Sequence, residues 1–259
     1  NPDLMRTGYA AVIDAMPSEV REALKGSFSA VMQDQPLQVI PTDWIRQAQA
    51  RWREDGHRQA PMTAMGFDPA GGGRDAAELA PRHDGWYGAL ITARGKDTAD
   101  GSLAAATIVQ HRRDNAIVVV DAGGGAGHGF GGTTIMRLKD NSIPVVPYNG
   151  SNTSTARTRD GQLTFFNKRA EAWWQFREAL DPDQPGGSVV ALPPDAELVS
   201  DLASPTYEAT ARGIKIEEKD AIRKRLGRSP GKGDAVVMAW TAGAFERNRP
   251  KYNVGRSQT

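Results

Sequence analysis

The chain has no cysteine, which removes disulfides, thiol nucleophiles and cysteine-bound zinc from consideration. It has only four histidines, His57, His83, His111 and His128, and none forms the H-E-x-x-H pair of a helical zinc site. Any metal centre would therefore be built mainly from carboxylates, which select hard ions such as Mg²⁺ or Mn²⁺. Long hydrophobic runs are also missing. The most apolar C-terminal stretch, Ala235 to Phe245, is broken by Thr241 and Gly243 and falls well short of the roughly 18 residues a membrane span needs. No apolar leader with a cleavage site opens the chain, so an intracellular setting with no membrane partner is expected. Nor does one sign of charge dominate, with 32 Lys and Arg against 31 Asp and Glu.

What is present suffices for a packed domain. The 259 residues are 39% hydrophobic with 28 further Gly, a composition and length that can bury a core without covalent staples. The charge is unevenly spread. From Arg212 to Thr259 there are 12 Lys and Arg against 5 Asp and Glu. This basic segment reads either as a phosphate-binding face or as a solvated helix face.

Residues 1–60 read as a helical lead-in or linker, with a short helix after Ser18 and another over 43–54 carrying Trp44, Ile45, Ala48 and Trp52 on one side. The first residue is Asn, so a longer parent protein is expected. From residue 61 the pattern becomes α/β. Strands are predicted over 63–67, 76–83, 86–92, 116–120, 143–147, 189–192 and 214–216. The second and third are joined by the turn Asp84-Gly85. The run Ala116-Ile-Val-Val-Val120 is continuous and β-branched, as in a strand buried on both faces. Helices are predicted over 102–113 with a Ser102 cap, 133–138, 169–180, 195–203 with an Asp195 cap, 217–226 and 233–242. The expected fold over 61–243 is a mixed β-sheet with helices on both faces. Residues 244–259 read as a basic, loose tail.

Three aspartates stand where chemistry collects. Asp68 ends the first strand, Asp121 ends the most apolar one, and Asp234 opens an apolar helix. A carboxylate at the end of a buried strand is costly unless paired, protonated or bound to a cation. Ligands gather at the carboxyl ends of strands in open α/β sheets, and such acids can hold two divalent ions for phosphodiester hydrolysis. Each could also be a helix cap or turn residue. In that case the chain would be a DNA-binding module without catalysis. Lys219, Arg223, Lys224, Arg225 and Arg228 lie nearby in sequence and could offset phosphate charge. His128 could touch a phosphate, and Trp173 and Trp174 could stack on bases, although exposure and core packing are their ordinary fates.

Gly127-His-Gly-Phe-Gly-Gly132 fits the dinucleotide pattern G-x-G-x-x-G after a strand and before a helix. A dinucleotide-binding oxidoreductase is thus an alternative. Against it, residues 148–157 contain no acid for a ribose, and Asp121 would repel a pyrophosphate. Gly227-Arg-Ser-Pro-Gly-Lys232 is one residue short of a phosphate loop and no Ser or Thr follows the lysine.

In order and spacing, several segments resemble the nuclease domain of the large terminase subunit of tailed bacteriophages. They are Gly66-Phe-Asp68-Pro-Ala-Gly-Gly-Gly-Arg-Asp75, Val118-Val-Val-Asp121, Asn167-Lys-Arg-Ala-Glu-Ala-Trp-Trp174, Leu192-Pro-Pro-Asp-Ala-Glu-Leu198 and Glu217 to Pro230 leading to Asp234. The resemblance implies a ribonuclease-H-like fold and a metal-dependent endonuclease. Asp68, Asp121 and Asp234 would be catalytic metal ligands for two Mg²⁺ or Mn²⁺ ions, and double-stranded concatemeric viral DNA the substrate. It further implies an ATPase domain, a small terminase subunit and a portal as partners. Their place would be the cytoplasm of an infected bacterium, transiently at the procapsid portal. Residues 36–52 resemble the linker leading out of that family's ATPase domain. A resolvase or transposase-like nuclease of the same fold is a second alternative. One departure stands out: where the family often has Ser-Pro-Asp, Gly231 follows Ser229-Pro230. Asp75 also matches a family position.

Overall fold

In a computed structural model of the chain, residues 34–35, 37–58, 60–70, 76–123 and 130–243 are described. The expected helix after Ser18, Asp75, the glycines 71–73, His128 and the tail from 244 lie outside them. Contacts divide the chain into two units, 1–36 and 37–259, and the second carries everything below. The sequence led us to expect a lead-in over 1–60; by contacts residues 37–60 group with the second unit. Val39, Ile40, Ile45 and Ala48 are fully buried, and the Val39 and Leu192 amides donate to Pro205 and Ala48 carbonyls. Helix α1 (Thr42–Ala50) thus shares the core of the second unit.

The sheet contains β1 (Ala64–Asp68), β2 (Ala77–His83), β3 (Trp86–Tyr87), β4 (Ile91–Ala93), β5 (Ile117–Asp121) and β6 (Val145–Tyr148). Its order is β3-β2-β1-β5-β6, with β4 also on β2. β1 is antiparallel to β2 and parallel to β5, and β5 is parallel to β6. The sheet is therefore mixed, as expected. The single strand predicted over 86–92 is two. Tyr87 pairs with Arg82 and Ile91 with Leu79, which leaves one extra residue opposite Ala80-Pro81. Pro81 has no N–H to continue a ladder, and an extra residue breaks one. The predicted strand 189–192 makes only an isolated bridge, Trp86↔Ala191.

Side chains alternate across a strand, and that alternation sorts β1 and β5. Met65, Phe67, Val118 and Val120 join Ala104, Ala105 and Ile108 of α2 (Gly101–His111) and Ile135 and Leu138 of α3 (Phe130–Asp140) in one apolar cluster. The cap of α2 is Asp100, not Ser102: its carboxylate accepts the Ser102 and Leu103 amides. Gly66 and Val119 pair across the strands on the opposite face. There α7 (Gly231–Thr241) crosses so closely that a Cβ on Gly66 would stand 1.9 Å from the Ala235 carbonyl oxygen. Helices therefore cover both faces. Three more, α4 (Lys168–Leu180), α5 (Ala196–Ala203) and α6 (Lys219–Leu226), complete the unit together with the hairpin β7 (Tyr207–Thr210) and β8 (Gly213–Ile216). β7 was not anticipated. Among the described residues, no helix is long and apolar enough to cross a membrane.

Candidate active site

The period of two that puts Gly66 under α7 also puts Asp68 on that face, at the carboxyl end of β1. Val119 faces the same way, so Asp121, two residues on, does too. Asp234 sits in the first turn of α7, one residue before the carbonyl-bearing Ala235 that rests on Gly66. Two strand ends and one helix start thus bring the three aspartates to the same side of the sheet. Asp121 and Asp234 line a cleft of about 200 Å³, together with Tyr148, Asn149, Arg169, Glu218 and Lys219.

Asp68 and Asp234 are 5% and 7% exposed, so their charges need partners. Lys219 supplies one, a pairing that its place in the sequence did not disclose. Its Nζ donates to both Asp68 oxygens at 3.1 Å and stands 2.9 Å from Asp234 Oδ2. Arg169 Nη1 donates to Asp234 Oδ1 at 3.0 Å. Burial pushes the Asp68 carboxyl well above the usual carboxylate range; Lys219 opposes this, while Asp234 and Asp121 add to it. Burial acts the same way on Asp234, but Lys219 and Arg169 outweigh it and hold that carboxyl below its usual value. Lys219 pays a desolvation cost, yet the two carboxylates hold its ammonium in the charged form. Asp121 is half-buried and accepts the Gly123 amide through Oδ1 at 2.9 Å.

A hard divalent cation suits this donor set, because every donor is a carboxylate oxygen and two of the three acids, both nearly buried, already share a cation. Among the described residues, however, no three acidic or histidine side chains are grouped closely enough to hold an ion as they stand. The Lys219 ammonium occupies the point between Asp68 and Asp234 where their oxygens converge.

The basic residues proposed as a DNA face are divided by the structure. Lys219 belongs to the carboxylate cluster. Arg225 pairs with Glu217 at 2.6 Å, and Arg228 pairs with Glu197 and the buried Asp201. Arg223, Lys224 and Arg225 are all exposed. Trp173 is buried, and Trp174 packs edge-on against Tyr207, 5.0 Å between ring centres. Glu78, the register partner of Asp68 on β2, is a buried acid the sequence did not flag. It accepts the Thr92 hydroxyl at 2.8 Å, and burial pushes its carboxyl up to about 7. Of the glycine pattern 127–132, residues 127–129 lie outside the described residues, while Gly131 and Gly132 belong to α3.

No family model matches the chain, and no curated protein matches it by sequence. Solved structures do match. The nuclease domain of the large terminase subunit gp2 of bacterial virus Sf6 superposes with a TM-score of 0.59 at 18% identity, over 78% of this chain and 97% of that one. The K428A mutant of that domain with manganese gives 0.60 at 18% identity, over 78% and 98%. The same mutant with calcium gives 0.59 at 19%, over 78% and 98%. With its mixed sheet and helices on both faces, the chain therefore has the ribonuclease-H-like fold of the nuclease domain of a phage large terminase subunit.

Proposed function

We propose that this chain is the metal-dependent endonuclease domain of a viral DNA-packaging motor, cutting double-stranded concatemeric DNA with little sequence preference. The observation that carries this reading is the nearly buried pair Asp68 and Asp234, from β1 and α7, bridged by Lys219 beside a cleft that Asp234 lines together with Asp121 of β5. The fold shared with the Sf6 domain supports it, as does the manganese named for that domain.

Asp68, Asp121 and Asp234 would hold two Mg²⁺ or Mn²⁺ ions. Bound there, the ions supply Lewis acidity and an activated water for phosphodiester hydrolysis. The chain's own groups do the rest. Arg169 fixes the orientation of Asp234 by holding Oδ1, and until metal binds Lys219 keeps Asp68 and Asp234 together against their mutual repulsion. Exposed Arg223 and Lys224 on α6, which begins at the cleft with Lys219, would meet the DNA backbone. In the full assembly the domain would work beside an ATPase domain, a small terminase subunit and a portal, in the cytoplasm of the infected bacterium and transiently at the procapsid.

The test is incubation of supercoiled plasmid with the protein in Mn²⁺, Mg²⁺ or EDTA, alongside Asp68→Ala. Nicking and linearisation that need the metal and vanish in the variant are expected. Cutting that persists in EDTA or in Asp68→Ala would refute the assignment.

A further inference from the structure

The segment that presents Asp234 is gripped from a neighbouring helix. Asp201, in the last turns of α5, is completely buried. Its Oδ2 accepts the backbone amide of Gly233, the residue before Asp234, at 3.1 Å. Its Oδ1 pairs with Arg228. The approach is tight enough that a Cβ on Gly233 would lie 2.9 Å from the Asp201 Cβ. Just N-terminal to this contact, α5 and its cap hold the same segment by charge. Arg228 Nε reaches Glu197 at 3.2 Å, and Lys232 reaches Asp195 and Glu197 at 2.8 Å each. Between those two basic residues, Gly231 lies against the acidic strand ends: a Cβ there would stand 3.0 Å from Asp68 Oδ2 and 3.0 Å from Glu78 Cγ.

A buried carboxylate–guanidinium pair is a poor way to gain stability, since well-packed apolar residues often do as well or better. What a carboxylate adds is a fixed direction. Asp201 holds one amide of the first turn of α7 at a set distance, and that turn carries Asp234. We propose that Asp201 is a positioning residue for Asp234, setting the start of α7 so that the Asp234 carboxylate meets Asp68 and Asp121 in the cleft. The inference rests on the metal-site reading above. Outer partners that orient a metal ligand typically change affinity by about 10–100-fold when removed.

The experiment is Mn²⁺ titration by calorimetry on the whole chain, with folding followed by circular dichroism. Binding by the parent protein comes first; if the parent binds no Mn²⁺, the metal-site reading fails and this inference falls with it. Given binding, Asp201→Ala should weaken it by about tenfold or more. Gly233→Ala, which forces α5 and α7 apart, should weaken it likewise. Asp201→Asn keeps an oxygen for the Gly233 amide and should stay near the parent. Glu197→Gln loosens the same Arg228 and Lys232 without touching that amide, and should leave Mn²⁺ affinity unchanged. Should Asp201→Ala not fold, the contrast between Gly233→Ala and Asp201→Asn decides. Parental affinity in folded Asp201→Ala or Gly233→Ala, or an equal loss in Glu197→Gln, would overturn the assignment.

Discussion

Lys219→Ala removes the cation that Asp68 and Asp234 share. The oxygens it bridges lie 3.1 and 2.9 Å from its nitrogen, so they can be no more than about 6 Å apart. At an effective dielectric constant near 20, two such charges repel by about 3 kcal/mol. Breaking a buried pair by deleting one partner costs about 3–5 kcal/mol. The lysine side chain is 35% exposed, so the lower figure applies. For a domain of this size each kcal/mol moves the melting temperature by roughly 2–4 °C, giving a fall of about 6–12 °C in EDTA. Divalent metal should reverse much of that loss. An ion at 100 times its dissociation constant returns about 2.7 kcal/mol, and in the variant it no longer competes with an ammonium. The parent should gain less from the same Mn²⁺. The assay is thermal unfolding of both proteins in EDTA and across a Mn²⁺ series. A variant as stable as the parent in EDTA, or one that gains no more from Mn²⁺, would refute the reasoning.

Four further outcomes are expected. Glu78→Gln should raise the melting temperature at pH 8 and change it little at pH 5. The folded-state value near 7 lies above the ordinary 4.5, so the native state holds more protons between those values and stability falls as pH rises through them, by up to about 3 kcal/mol; equal effects at both pH values would contradict this. Arg228→Ala should destabilise by about 3 kcal/mol or more, because it leaves Asp201 buried without its cation; a denaturant midpoint within error of the parent would argue otherwise. Lys224→Ala should weaken DNA binding evenly across sequences and reduce the salt slope by about one unit, whereas an unchanged slope would place α6 away from the duplex. Chains beginning at residue 37 and at residue 42 should differ in melting temperature. Deleting 1–41 removes fully buried Val39 and Ile40, each contributing about 1.5–3 kcal/mol, and should lower it by several degrees; equal stability of the two truncations would show that residues 37–41 add nothing to the core.

The legible part of the site was the part written in local pattern. Asp68 and Asp121 end apolar runs, and Asp234 opens an apolar helix, so their strand-end and helix-start positions follow from sequence alone. Period-two alternation then fixes their common face. Lys219 was legible as a basic residue but not as a partner. Spacing along α6 relates it to Arg223 and Lys224, whereas its carboxylates come from β1 and α7, 151 and 15 residues away in the chain. The partners of Arg225 and Arg228, Glu217 and Asp201, were hidden for the same reason, since they meet through space. In the fold, the run Val189-Val-Ala-Leu192 has strand composition, but β3 beside it is two residues long and offers no ladder to join. The hairpin β7–β8 was half seen: Gly213, at φ +113°, marks its turn, while the polar sequence Tyr207-Glu-Ala-Thr210 hides its first strand. Residues 37–50 looked like a linker because their partners, Leu192, Pro205 and Arg177, lie more than 130 residues away.

The most direct test of the central claim is diffraction from crystals grown in Mn²⁺, with data at the manganese edge. The account predicts anomalous peaks among the carboxylates of Asp68, Asp121 and Asp234, with the Lys219 ammonium moved from between them. Manganese bound elsewhere, with Lys219 still bridging Asp68 and Asp234, would contradict it.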